Sequence, residues 1–327
     1  MKNNLKETVS LAPMVSHTTR YARYFYHLLA PDMVLYTEMI TSCALIRNSN
    51  LQQIKRFDTG SSVCQLAGNN APDLLHAIAI AGEHKYQEIN LNLGCPSKQV
   101  QNNNIGVCMM KQPQLVADIF NELADNTDMP LSIKCRTGVD NLDSYEYLYN
   151  FIDLISTAGC NKFIIHARKA WLDGLNPKQN RTKPPIDYQR VYQLKQDFPQ
   201  LQIIINGDTT SYEQVQLHLQ QVDGVMLGRS LIDNPLLALE LQNKLFGSHK
   251  VDLYQLLNKY LNSDLYLQDT HHLSSVFLLK HLFGLASFKP GAKKWRQFIT
   301  EQMQQAKINA QLIIDTACEL NLIAANS

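Results

Sequence analysis

Eight times along this 327-residue chain, a short apolar and mostly β-branched run ends in polar residues and gives way to an amphipathic stretch. The runs are VSLAPM (9–14), DMVLYTEM (32–39), SVCQLAG (62–68), QEINLNLG (87–94), LSIKCRTG (131–138), KFIIHARK (162–169), QIIINGD (202–208) and DGVMLGR (223–229). Between most of them lie segments such as APDLLHAIAIAGEHK (71–85) and QPQLVADIFNELADNT (112–127), whose apolar residues recur at helical spacing. Parallel strands need a crossover between neighbours, so eight β–α units predict a closed (β/α)8 barrel. An open doubly wound sheet usually carries a G-x-G-x-x-G turn after its first strand, whereas this first strand ends in Ala12-Pro13-Met14. From about residue 248 the chain reads as helices with apolar spacings of three and four: DLYQLLNKYLNSDLY, HLSSVFLLKHLFGLASF and KWRQFITEQMQQAKINAQLIIDTACEL. The predicted organisation is an α/β TIM barrel over 1–247 and a C-terminal all-helical domain over 248–327.

A barrel of this kind carries its chemistry at the C-terminal ends of its strands. Those ends hold Pro13 and Met14, Glu38, Gln65, Asn90 and Asn92, Lys134 and Arg136, His166 and Arg168, Asn206 and Gly207, and Gly228 and Arg229. Polar or basic groups recur at nearly every end, which a purely structural barrel does not need. Gly207 and Gly228 follow strands seven and eight, where barrels often bind phosphate through loop N–H groups. Arg229 would add a charge-assisted contact; the alternative is that both glycines only make tight turns. Lys134 points into the mouth and needs an anionic partner, and a reduced flavin carries its negative charge beside N1. Gln65 and His166 offer hydrogen bonds to such a ring, although a lone histidine is more often simply buried and hydrogen-bonded.

Cys95 stands just past the end of a strand, on Gly94-Cys95-Pro96, where the proline ends strand pairing. A structural cysteine would sit among Ile89, Leu91 and Leu93 instead. A thiol of ordinary pKa, about 8.5, is protonated at neutral pH yet acidic enough to donate. Covalent nucleophilic action is disfavoured, since no histidine adjoins it in sequence.

The net charge of +1 excludes a polycationic surface, so any nucleic-acid contact must be local. Two patches qualify. Residues 166–190 carry Arg168, Lys169, Lys178, Arg181, Lys183 and Arg190 against Asp173 and Asp187, and residues 270–300 carry Lys280, Lys289, Lys293, Lys294 and Arg296 with no acid. The loop 171–188 is long for a βα connection, as functional loops are. No run of about 18 apolar residues would span a membrane. MKNNLKETVSLAPM has no apolar core suited to a signal peptide, and the seven cysteines show neither a CxxC pair nor zinc-ligand spacing. A cytoplasmic location, no metal and no obligate protein partner are expected.

The motifs APM (12–14), QLAG (65–68), NLNLGCPS (90–97), IKCRTG (133–138), HARK (166–169), NGD (206–208) and GR (228–229) resemble the tRNA-dihydrouridine synthases. HARKAWLDGLNPKQNRTKPPIDY (166–188) and KPGAKKWRQFI (289–299) resemble their A subfamily in particular. The resemblance implies an FMN-containing barrel, a small helical RNA-binding domain, NADPH as transient reductant, and reduction of uridine to dihydrouridine in the D-loop of tRNA at U20/U20a. It implies that Cys95 donates the proton and that Asn92 orients the uracil, its unpaired amide reading the base edge. It implies FMN contacts at Ala12, Pro13, Met14, Gln65, Lys134, His166, Asn206, Gly207, Asp208, Gly228 and Arg229. It implies tRNA contacts at Arg168, Lys178, Arg181, Lys293 and Arg296. Family members often have two glycines where this chain has Gly207-Asp208. A carboxylate beside a phosphate is repelled, so the Asp208 side chain is expected to point away. Two other functions compete: a flavin reductase of a free pyrimidine or small enone, which has no use for the basic tail, and a non-catalytic RNA-binding module, which has no use for Cys95, Lys134 and His166 at three strand ends.

Overall fold

The computed structural model describes residues 7–56, 60–264, 274–305 and 307–324. Its strands are β1 (Val9–Leu11), β2 (Val34–Tyr36), β3 (Ile40–Thr41), β4 (Ser62–Ala67), β5 (Glu88–Asn92), β6 (Leu131–Arg136), β7 (Lys162–His166), β8 (Gln202–Asn206) and β9 (Gly224–Leu227). All pairings are parallel, and they run β1–β2–β4–β5–β6–β7–β8–β9 and back to β1. This is the closed eight-stranded barrel that the alternating pattern predicts. One predicted strand differs. The run 32–39 breaks after Tyr36, and the two-residue β3 resumes beside the far end of β4. Glu38 lies in the break, where its carboxylate accepts the N–H of Ser16.

Strand alternation sorts side chains to two faces. Leu11, Ile89, Leu91, Ile133, Cys135, Phe163, Ile165, Ile203, Ile205, Val225 and Leu227 face outward into the large core under the helices. Ala12, Val34, Tyr36, Val63, Ile164, Ile204 and Met226 face inward and pack together. The inner wall is not apolar throughout. At the barrel floor Lys162 Nζ lies 2.6 Å from Glu7 Oε2 and 3.0 Å from Glu88 Oε2, all three side chains fully buried.

Beyond the barrel lie helices Leu253–Leu261, Ser274–Leu279, Ala292–Met303 and Ala310–Glu319, with a 3-10 run at Lys280–Ala286. The predicted helical stretch 294–320 is therefore two helices. Asn309 caps the second by accepting the N–H of Leu312, which restarts the chain in a new direction. The predicted helical residues 265–273 lie outside the described residues. These helices pack on the first barrel helix, Arg20–Leu29, where Phe25 meets the rings of Tyr260 and His281 at 5.3 and 4.7 Å.

Candidate active site

The loop after β5 is hung from a single side chain. Asn92 Oδ1 accepts the backbone N–H of Gly94 at 3.1 Å and of Cys95 at 3.0 Å. Gly106 lets the chain return under this loop: at φ 60 its missing Cβ would lie 2.8 Å from the Cys95 carbonyl. The Cys95 thiol is half-buried, 3.6 Å from Ser97 Oγ, and within electrostatic reach of Lys134, Arg136 and Arg181. Arg136 fixes the surroundings. Its guanidinium donates to the carbonyls of Gly94, Lys169 and Asn180, and so ties the cysteine loop to the loop after β7. The sequence placed Arg136 at a strand end but gave it no role.

Facing the mouth from β6, Lys134 Nζ donates to Asn206 Oδ1 at 2.9 Å. Asn206 Nδ2 in turn donates to the Met226 carbonyl at 2.8 Å. Burial, then the nearby charge of Arg136, pulls the Lys134 ammonium down to about 7. The His166 imidazole is driven well below its usual value by burial and by Arg136, Lys134, Arg168 and Arg229, so it is neutral at physiological pH. Its ring makes no hydrogen bond to another described residue. Gly207, at φ 137, presses on that ring; a Cβ there would stand 3.2 Å from His166 Cδ2. Beside it Met14 lies against Gly228, whose added Cβ would meet Met14 Sδ at 3.4 Å and Ala12 Cβ at 3.6 Å. Pro13 is half-buried on the same turn. The candidate cofactor residues other than Gln65 thus lie along one arc of the mouth, from β6 round to β1; Gln65, on β4, is fully buried and both ends of its amide are engaged, by Asn90 and Asn92.

Three expectations need correction. Asp208 does not point away. At φ 45 it directs its carboxylate between two guanidiniums, pairing with Arg168 and, at 2.5 Å, with Arg229. The twist at Gly207 turns it there, and repulsion from a phosphate is offset by two cations. Arg168, expected to face tRNA, is buried, and also donates to the Pro184 carbonyl. The Asn92 amide is not unpaired: its Oδ1 serves the loop and its Nδ2 donates to Gln65 Oε1 at 2.8 Å. Lys178, Arg181, Lys293 and Arg296 are exposed. Lys178 leads into a 3-10 turn, Gln179–Arg181, and the Arg181 carbonyl accepts from Arg229 at 3.1 Å. Among the described residues no cluster of three metal-binding side chains occurs, and no helix is long and apolar enough to cross a membrane.

The sequence profile described as Dihydrouridine synthase (Dus) matches residues 10–320. The chain belongs to the dihydrouridine synthase family. It is 42% identical over 303 residues to the tRNA-dihydrouridine(20/20a) synthase of Shewanella oneidensis, covering 91% of this chain and 89% of that one. The protein of the same name from Vibrio parahaemolyticus is 40% identical over 322 residues, covering 95% and 96%. That of Escherichia coli K12 is 41% identical over 307 residues, covering 91% and 87%. Among solved structures, TcOYE with pHBA superposes with a TM-score of 0.50 at 10% identity, over 74% of this chain and 90% of that one, and shares the barrel fold.

Proposed function

We propose that this dihydrouridine synthase reduces uridine to 5,6-dihydrouridine at U20/U20a in the D-loop of tRNA, with FMN as resident flavin, NADPH as electron source and Cys95 as proton donor. The observation that carries this reading is the Cys95 thiol held by two backbone bonds at the rim of a mouth that contains Lys134 and a neutral His166.

The donor set fits a flavin. Among the described residues Lys134 hydrogen-bonds only the Asn206 amide, and burial, then the charge of Arg136, lowers its pKa. His166 keeps ring nitrogens available for the ribityl chain or ring edge. Gly207 and Gly228, with Arg229, line the side where a phosphate would lie, and Asp208 lowers the positive charge there without removing it. A reduced flavin held there would supply the hydride that C6 of the uracil takes up. Cys95 gives its proton to C5, stays in place as a thiolate near Lys134, Arg136 and Arg181, and is reprotonated from water. Asn92 holds the thiol in place and keeps one N–H for the base. The uracil must be flipped out of the tRNA to reach this depth. Arg168 belongs to the loop's support, while Lys178, Arg181, Lys293 and Arg296 are the exposed cations suited to tRNA phosphates. The division at 1–247 and 248–327 assigns chemistry to the barrel and grip to the helices. The cytoplasm, where tRNA and NADPH meet, is the matching location, and the reaction requires no protein partner.

The test is Cys95→Ala. Flavin content, tRNA affinity and flavin reduction by NADPH stay unchanged, while dihydrouridine formation falls by about 10²–10⁴-fold. Full turnover in the variant would assign the proton to another group. Turnover on free uracil matching that on tRNA would favour the small-molecule reductase instead.

A further inference from the structure

An unbroken file of polar side chains runs down the inside of the barrel beneath the cysteine loop. Asn92 Nδ2 donates to Gln65 Oε1 at 2.8 Å, and Gln65 Nε2 donates to Asn90 Oδ1 at 2.8 Å. Asn90 Nδ2 donates to Ser132 Oγ at 2.9 Å, and Ser132 Oγ donates to Glu88 Oε1 at 2.6 Å. Lys162 Nζ closes the file at the floor, bridging Glu88 and Glu7, and Glu7 Oε2 also accepts from Tyr36 at 2.8 Å. Gln65, Asn90, Ser132, Glu88, Lys162 and Glu7 are all fully buried.

Direction matters in such a file. A primary amide can be turned end for end at no steric cost, so only its hydrogen-bond partners decide which end of Asn92 faces the loop: the Gly94 and Cys95 N–H groups above it and the file below it. The floor imposes from below the same direction that the loop requires from above. An ammonium only donates, so Lys162 accepts no proton from Glu88 and favours its ionised, accepting form against the burial that raises its pKa. Ser132 must then spend its proton on Glu88 and can only accept from Asn90. That puts the Asn90 carbonyl toward Gln65, and the Gln65 carbonyl toward Asn92. Asn92 is left with its carbonyl upward, the one orientation that accepts the N–H groups of Gly94 and Cys95. Reversed, it would set its amino group against those two donors and release the loop.

We propose that the Lys162–Glu88 pair at the barrel floor, acting through Ser132 and Asn90, sets the amide direction that pins the Cys95 loop. These four are positioning residues, and none of them touches substrate. The kinetic part of this inference rests on the reading of Cys95 as proton donor; the structural part does not.

Ser132→Ala cuts the file without changing charge, and Asn90→Asp replaces the donor to Ser132 by a carboxylate. Hydrogen–deuterium exchange of the peptide spanning 93–97 is followed in both, together with the melting temperature. The amides of Gly94 and Cys95 should exchange about tenfold faster, while peptides from the outer helices keep wild-type protection. In single-turnover experiments, oxidation of the reduced enzyme by tRNA should slow by about tenfold, with tRNA affinity and flavin reduction by NADPH within about twofold of wild type. Ser132→Thr, which keeps the hydroxyl, should restore both readouts. Wild-type exchange at Gly94 and Cys95 in both variants would overturn the proposal. So would a uniform loss of protection, affinity and both half-reactions, which is the mark of plain packing. If tRNA fails to oxidise even the wild-type enzyme, the proposed function fails, while the exchange result still judges the file.

Discussion

Lys134 shows what a single side chain at the mouth costs and what it waits for. Its folded pKa, about 7, lies below the ordinary lysine value of 10.5, with burial the chief cause. Between those two values the unfolded chain binds more protons than the folded one, so the cofactor-free protein gains stability as pH rises from 7 toward 10.5 and loses it as pH falls. Lys134→Met removes the buried ammonium. The cofactor-free variant should melt at least about 2 °C higher near pH 7 and lose much of that advantage near pH 9. Its hold on flavin should weaken, or reduction of the bound flavin should slow. A melting difference that ignores pH would mean that the ammonium is not what destabilises the fold. That Lys134, His166 and Cys95 stand at or just past strand ends was legible because strand-end position and alternation are properties of sequence alone. Asp208 was misread because its partners come from two other strands and its direction from a backbone twist at Gly207. Its two ion pairs depend on geometry that spacing does not carry.

The long loop 171–188 and the helix Ala292–Met303 bear the exposed cations that the resemblance assigns to tRNA. The loop is built before any ligand arrives. Asn180, at its centre, accepts the N–H of Trp171 at 2.8 Å and donates to the Trp171 and Leu175 carbonyls. Trp171 is covered by Lys169, whose ammonium stands 4.2 Å above the ring and pairs with Asp143 at 2.5 Å. That pairing removes Lys169 from the patch counted in sequence, and Arg168 and Arg190 are spent in the same way on Asp208 and Asp187. On the helix, Trp295 and Ile299 face inward, and the Trp295 indole donates to the Leu282 carbonyl at 2.7 Å. Lys293 and Arg296, three residues apart, share the outer side, as the spacing predicts. Replacing both by Ala should weaken binding of every tRNA to a similar degree and flatten the salt dependence by up to about one unit of slope per lost contact. Flavin content should not change. Dissociation constants at several salt concentrations decide it, and superimposable salt plots would make this helix only a solvated cap.

For the molecule as a whole, the repeating β–α pattern was enough to read the barrel, since each unit states its own period. What it did not reveal is the polar floor. Glu88, Asn90 and Asn92 alternate in step along β5, a parity visible in sequence, but Glu7 precedes the first recognisable strand and Lys162 opens another. Only the closed ring brings them together. Gly224 is where that ring is sealed. It begins β9, and a Cβ on it would stand 2.0 Å from the Glu7 carbonyl oxygen, so the N-terminal segment crosses the floor only because this position is bare. Val9 then pairs with Val225, and Val225 donates to the Thr8 carbonyl. Gly224→Ala should lower stability by about 1–3 kcal/mol, measured by urea unfolding; an unchanged midpoint would show that the crossing has slack. The seam has a consequence for biosynthesis. The strand made first meets its second neighbour only after residue 227 has left the ribosome, so a shorter nascent chain leaves one edge of β1 bare. A product cut short within the last strand therefore cannot close its barrel.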